Sequence, residues 1–159
     1  MKIINAVPGL GTPLTENEIK DFLANSRLNM HISTLDDKGD SIIHPTWYYF
    51  DPTSVKFYIE TFKNSIKVAN LSRNNHVYFC VDDPNPPHKG VKGKGRVRVQ
   101  EDVNHNVPIA EKIMVRYLGS LTHPMASLLI DNVKDGSSVI LEITPSYFST
   151  WDMTKSKWI

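Results

Sequence analysis

The spacing of hydrophobic and polar residues changes period several times along the chain, and each change marks an element. Between Glu16 and Asn25, the residues Ile19, Phe22 and Leu23 fall at i, i+3 and i+4, one face of a short helix. Thr15 stands three residues before Glu18, the spacing of a capping box that starts such a helix. Ahead of it, Pro8, Gly9, Gly11 and Pro13 predict an irregular lead-in over residues 1–14. From Leu28 the period drops to two. Leu28, Met30, Ile32 and Thr34 alternate with Asn29, His31 and Ser33, as in a half-buried strand. The cluster Asp36-Asp37-Lys38-Gly39-Asp40 is a turn, and Ser41–Phe50, rich in β-branched and aromatic residues, returns as the next strand. A second turn at Asp51-Pro52-Thr53-Ser54 leads to a third strand through Val55, Phe57 and Ile59. These three strands predict an antiparallel meander.

Asn64–Arg73 reads as a helix with Ile66, Ala69 and Asn70 on one side. His76–Asp82 is a dense apolar strand, broken by Pro84, Pro86 and Pro87. His88–Gln100 is a long strand with Gly93 and Gly95 inside it; glycines there signal a bend or a close approach. Pro108–Leu118 and Pro124–Val133 read as helices, the second with proline at its favoured first position. Ser138–Thr150 is the last strand, ending in Trp151-Asp152. The helices fall between pairs of strands and do not alternate with them one for one. That pattern argues against a doubly wound parallel sheet and for a closed antiparallel β-barrel of six strands with peripheral helices.

Composition narrows the function classes. A length of 159 residues suits one domain spanning 1–159. A net charge of +1 excludes a uniformly basic nucleic-acid coat and an acidic disordered tail. A single cysteine, Cys80, excludes an internal disulfide and a multi-cysteine zinc site, and its apolar strand predicts a buried, inert thiol. The six histidines show no two-histidine helical spacing, so no metal site is predicted. There is no N-terminal run with a basic start and an apolar core, and no apolar stretch approaches the roughly 20 residues that span a bilayer. The expectation is a cytoplasmic protein with no membrane contact. Phosphate-loop, dinucleotide and nucleophile-elbow patterns are all missing from the sequence.

Three segments could carry chemistry. At the start of the second helix, Thr61, Asn64 and Ser65 crowd hydroxyl and amide groups where backbone N–H groups lack partners. Lys63 and Lys67 add positive charge at the positive end of the helix dipole, an arrangement that a bound anion would favour. An ordinary N-cap with solvated lysines explains the same residues. In the long strand, Lys92, Lys94, Arg96 and Arg98 all point to one face, with valine or glycine on the other. That face fits an anionic cofactor or a nucleic-acid backbone, or a solvated surface paired with carboxylates. The strand carries no aromatic residue on its basic face for base stacking, so nucleic-acid binding is not expected. In His44-Pro45-Thr46-Trp47-Tyr48-Tyr49-Phe50, the proline removes a ladder donor and predicts an edge or bulge. Tyr49 and Phe50 are assigned to the core.

The order of these segments resembles that in the flavin-binding split β-barrel family that includes pyridoxamine 5′-phosphate oxidase. It runs from Pro-Thr-Trp at 45–47 and Lys-Phe-Tyr-Ile-Glu-Thr at 56–61 to Ser-Ile-Lys-Val-Ala-Asn-Leu at 65–71. Asn-Asn-His-Val and the basic strand with Gly-Arg-Val follow. The resemblance covers roughly Thr15–Asp102 and, more loosely, the final strand. It implies a split β-barrel that is a homodimer, with flavin mononucleotide (FMN) in each of two interface clefts. It implies that Pro45, Thr46 and Trp47 face the flavin ring, and that Glu60 and Thr61 end the next strand near the phosphate. Ser65, Ile66 and Lys67 would hold the phosphate at the helix start, and Lys89 and Gly90 would reach the cofactor from the other subunit. Ile66 stands where the oxidase has arginine and Gly90 where it has glutamine. The oxidase's C-terminal Arg-x-His-Asp-Arg segment is missing here, which argues against vitamin B6 oxidation. The resemblance thus implies an FMN-dependent oxidoreductase with a small-molecule substrate. A deazaflavin (coenzyme F-420) reductase on the same fold is the first alternative, and a non-enzymatic flavin-binding or nucleic-acid-binding module is the second. Flavin itself carries the hydride, so no catalytic side chain is nominated.

Overall fold

Thr15 and Glu18 close the predicted capping box in the structure, a computed structural model that describes residues 1–156. The last three residues of the predicted 1–159 domain lie outside that range. Thr15 N–H donates to Glu18 at 2.7 Å, and helix α1 (Glu16–Asn25) buries Ile19, Phe22 and Leu23 as its period requires. Within the first fourteen residues, expected to be irregular, Ile3–Asn5 forms a short strand β1.

The sheet strands follow. They are β2 (Met30–Leu35), β3 (Ser41–Thr46), β4 (Tyr49–Asp51), β5 (Lys56–Phe62), β6 (His76–Asp83), β7 (Lys89–Gln100) and β8 (Ser138–Asp152). Helix α2 (Ile66–Arg73) lies between β5 and β6, and helices α3 (Val103–Leu118) and α4 (Pro124–Lys134) lie between β7 and β8. The strands form one eight-stranded sheet in the order β3-β2-β6-β7-β8-β5-β4, with β1 parallel to β8 and the other pairs antiparallel. This is the mainly β split barrel with peripheral helices, but it has eight strands instead of six. One extra strand is β1; the other arises because the predicted strand Ser41–Phe50 breaks after Thr46. The barrel does not close by hydrogen bonds: β3 and β4, consecutive in the chain, are the two ends of the sheet path. The meander is therefore split, its first two strands at one end and its last two at the other.

Alternation puts one face of each strand into the core. Met30 and Ile32 of β2, Phe57 and Ile59 of β5, Phe79 of β6 and Phe148 of β8 are buried together, and the Phe57 and Phe79 rings lie 5.0 Å apart. Each such side chain contributes about 1.5–3 kcal/mol by leaving water. A second cluster forms where α3 and α4 cover Tyr58 and Ile140 with Ile113, Met114 and Ala126. Helix α3 starts earlier than predicted, because Asp102 caps it by accepting from Asn104 N–H. Gly119 ends it at φ 80°, a conformation that favours glycine. Among the described residues, no helix is long and apolar enough to cross a membrane.

Gly93 and Gly95 mark close approaches by neighbouring strands, and the β7–β8 register shifts between Lys94 and Gly95. A Cβ on Gly93 would come within 2.2 Å of the Tyr147 carbonyl oxygen and 2.7 Å of the Phe79 ring. Gly93→Ala is expected to destabilise the fold by about 1–3 kcal/mol in a urea melt. Glu18 is a second point of sensitivity. Lys155 and the Thr15 N–H hold its carboxyl well below the usual range, at about 2. The folded-state value is depressed, so its stabilisation is present above the ordinary value of 4.5 and is lost as pH falls toward about 2. Glu18→Gln should flatten the stability profile over that acid window, read by denaturation at each pH.

Candidate functional site

The break after Thr46 builds the site. Pro45 is the last residue but one of β3, and the chain then turns through Trp47 and Tyr48 to reach the opposite end of the sheet path. Tyr48 is fully buried and donates its hydroxyl to the Leu23 carbonyl at 2.9 Å. The core assignment of Phe50 holds, whereas Tyr49 is only half-buried; the buried ring missed by the sequence is Tyr48. Trp47 stacks flat on Tyr117 of α3, with centroids 4.9 Å apart and planes 3° from parallel. The Tyr117 hydroxyl donates to the Leu28 carbonyl at 2.8 Å and accepts from Tyr48 N–H at 3.3 Å. One ring thereby holds the turn from two sides.

Beside this turn opens a cleft of about 380 Å³, lined by Asn29, Pro45, Thr46, Trp47, Glu60 and Lys67. Five of these six are residues that the family resemblance implies for the site; the sixth, Asn29, precedes β2. Thr46 is buried and ties its hydroxyl to the Met30 carbonyl at 2.8 Å. Glu60, near the end of β5, is pushed up in pKa by burial, an effect that the Lys67 charge opposes. Burial lowers Lys67, and Glu60 acts in the other direction. Lys67 donates to Thr61 Oγ1 at 3.1 Å, and the Thr61 and Ser65 hydroxyls lie 3.4 Å apart. Among the described residues no carboxylate lies within 4.0 Å of the Lys67 ammonium. Ser65 is the N-cap of α2 and accepts from Val68 N–H at 3.4 Å. The N–H groups of Ile66 and Lys67, first in the helix, have no acceptor within it.

The helix start is divided. Lys63 pairs with Glu101 at 2.8 Å and, with Asn64 and Ser65, faces a separate groove. The expectation that both lysines converge on one anion is therefore corrected: Lys67 stands in the cleft and Lys63 is already neutralised. Ile66 points its side chain into solvent, 64% exposed. Lys89 and Gly90 do not line the cleft. They begin β7 opposite Asp152 and Trp151, where Lys89 lies 3.8 Å from Asp152 and Gly90 is covered by the Trp151 indole. The basic face of β7 is exposed as predicted at Lys92, Arg96 and Arg98, while Lys94 is half-buried. Neighbouring strands supply the aromatic residues that β7 lacks. Lys92 lies over the Trp151 ring and Lys94 over the Tyr78 ring, 6.0 and 5.6 Å from their centroids. Cys80 is not the buried core thiol expected. It is half-buried beside Tyr78 on the outer face, where burial pushes it up to about 11.

The chain belongs to the pyridoxamine 5′-phosphate oxidase family, whose profile matches residues 15–152. No curated protein matches the sequence. Among solved structures the fold is similar to that of the conserved hypothetical protein Rv2991 of Mycobacterium tuberculosis. That pair shares 23% identity over 92% of this chain and 89% of the other, with a TM-score of 0.78. An F420 reductase shares 24% identity over 81% of this chain and 94% of its own, at a TM-score of 0.64. A FAD-binding protein of Mesorhizobium loti shares 16% over 87% and 95%, at 0.63. At these identities the likeness is one of fold.

Tyr117→Phe keeps the stack on Trp47 but removes both hydrogen bonds and leaves the Tyr48 N–H without its acceptor. A loss of about 1–3 kcal/mol is expected in thermal or urea unfolding.

Proposed function

We propose that the protein is an FMN-binding oxidoreductase that works as a homodimer in the cytoplasm. The observation that carries this reading is Lys67, in the first turn of α2, which lines the cleft beside Trp47 and donates to Thr61 Oγ1 at 3.1 Å. The fit is chemical. Thr61 is 7% exposed, and Lys67 has a hydroxyl partner but no carboxylate in reach, so the site holds unneutralised donors suited to a phosphate. The edge of β3 offers an extended backbone and the Trp47 indole to a flat ring. When bound, the flavin would supply hydride transfer. The chain's own residues would grip its phosphate through Lys67, Thr61 and the Ile66 and Lys67 N–H groups. Pro45, Thr46 and Trp47 would orient the ring, and Glu60 would set the polarity of the cleft wall. Lys89 and Gly90 lie away from this cleft within one chain, so a role at the flavin requires a second copy that brings them across.

Lys67→Ala should weaken FMN binding by at least about tenfold, since a charge-assisted contact contributes roughly 1.5–3 kcal/mol. Titration of the visible flavin spectrum reads this, with circular dichroism checking that the fold is unchanged. Unaltered FMN affinity in a folded variant would sink the phosphate assignment. The second reading is a deazaflavin reductase, favoured by the exposed cations of β7, which suit a longer anionic tail. Parallel titration with FMN and coenzyme F-420 separates the two by which one binds more tightly.

A further inference from the structure

A row of polar side chains runs from the surface to the edge of the cleft. Lys67, Asn70 and Arg73 stand at i, i+3 and i+6 on α2, one face of the helix. Arg73 donates to Asn70 Oδ1 at 2.7 Å, Asn70 Nδ2 donates to Thr34 Oγ1 at 2.9 Å, and Thr34 Oγ1 meets His44 Nε2 at 2.9 Å. Asn70 and Thr34 are 2% and 1% exposed, so the bond between them is shielded from water.

The donor inventory gives the row a direction. A guanidinium only donates, so Asn70 must turn its oxygen to Arg73 and its amide protons to Thr34. The Thr34 oxygen accepts there and keeps one proton and one lone pair for His44, so the tautomer sets which of the two donates. In the row we assign, Thr34 donates, His44 Nε2 accepts, and the ring is neutral with its proton on Nδ1. His44 precedes Pro45 and Thr46 of the cleft wall. The groups facing it are Lys67 and, through Asn70, Arg73 from α2, and Thr34 from β2; Glu60 of β5 faces Lys67 from across the cleft. Burial first, and then the Lys67 charge, lower its pKa.

We propose that His44 is a proton-accepting member of the anion site, taking up a proton when an anion binds at Lys67. The inference rests on the flavin-phosphate reading of the cleft. An anion cancels the Lys67 charge and adds its own attraction for an imidazolium. Protonated Nε2 then donates to Thr34, whose hydroxyl turns away to accept from both His44 and Asn70. Asn70 and Arg73 stay in place, so one hydroxyl rotation changes the state of the row. By linkage, a site that takes up a proton binds more tightly as pH falls through the occupied-state pKa of His44, and the gain ends below its free-state pKa.

The test is calorimetric titration of the full chain with FMN in paired buffers of different ionisation enthalpy, on wild type and His44→Asn. The difference between the two removes protons exchanged by FMN itself. Wild type should take up more protons per FMN than the variant. Its affinity advantage should grow, by up to about tenfold, from about pH 8 to about pH 6. Equal proton uptake and parallel pH profiles with FMN still bound would overturn the role of His44 and leave the flavin reading standing. Failure of wild type to bind FMN at all would overturn both. Nitrogen NMR of the ligand-free wild type checks the row without any variant: an Nδ1–H neutral ring at neutral pH is expected, and an Nε2–H or charged ring would overturn its direction.

Discussion

Everything at the cleft depends on how the chain crosses from one end of the sheet path to the other at Trp47 and Tyr48. Two residues cover that passage, and they are held on every side. Tyr48 hangs from the end of α1 through its hydroxyl, Trp47 lies flat on Tyr117, and Arg116 lies over the Tyr48 ring at 4.5 Å. Arg116 also donates to the Leu23 carbonyl at 2.9 Å and to the carbonyls of Ala24 and Ser26, groups at the end of α1 that lack helical partners. A single cation thus caps one helix while standing on another and pressing on the turn. Pro45, Thr46 and Trp47 can form a fixed wall because the turn beside them has little freedom.

Much of this was legible in the sequence, and the failures have physical causes. Period two and period 3.6 located most of the elements, since burial of one face is a local requirement that the pattern records. The break in Ser41–Phe50 was not visible, because Trp47 and Tyr48 are good strand residues and only their long-range partners Tyr117 and Leu23 pull them out of line. Strand β1 is too short to show a period, and it exists because β8 offers it a partner. The run Val77–Val81 reads as apolar throughout, which masks the alternation that turns Phe79 to the core and Cys80, with His76, Tyr78 and Asp82, to the outer surface.

The site residues divide in the same way. Lys63 and Lys67 look alike in sequence, four positions apart at one helix start. Glu101, far along the chain, pairs with one and leaves the other unpaired. His44 was within reach of sequence reasoning, for it shares a strand face with Thr46 two residues on. What could not be read was that Thr34 and Asn70 meet it, because that contact joins β2, β3 and α2.

The long β7–β8 pair has one more consequence. Its two strands run together from Lys89 and Asp152 to Gln100 and Ile140, yet the loop that joins them contains both α3 and α4. The helix pair is inserted between two strands that are already paired, and it packs back on Tyr58 of β5 and Ile140 of β8. It reaches the turn at the cleft through neighbours in sequence, Arg116 and Tyr117, which share the last turn of α3. A change in the helix pair would therefore be felt at the cleft through this one turn of helix.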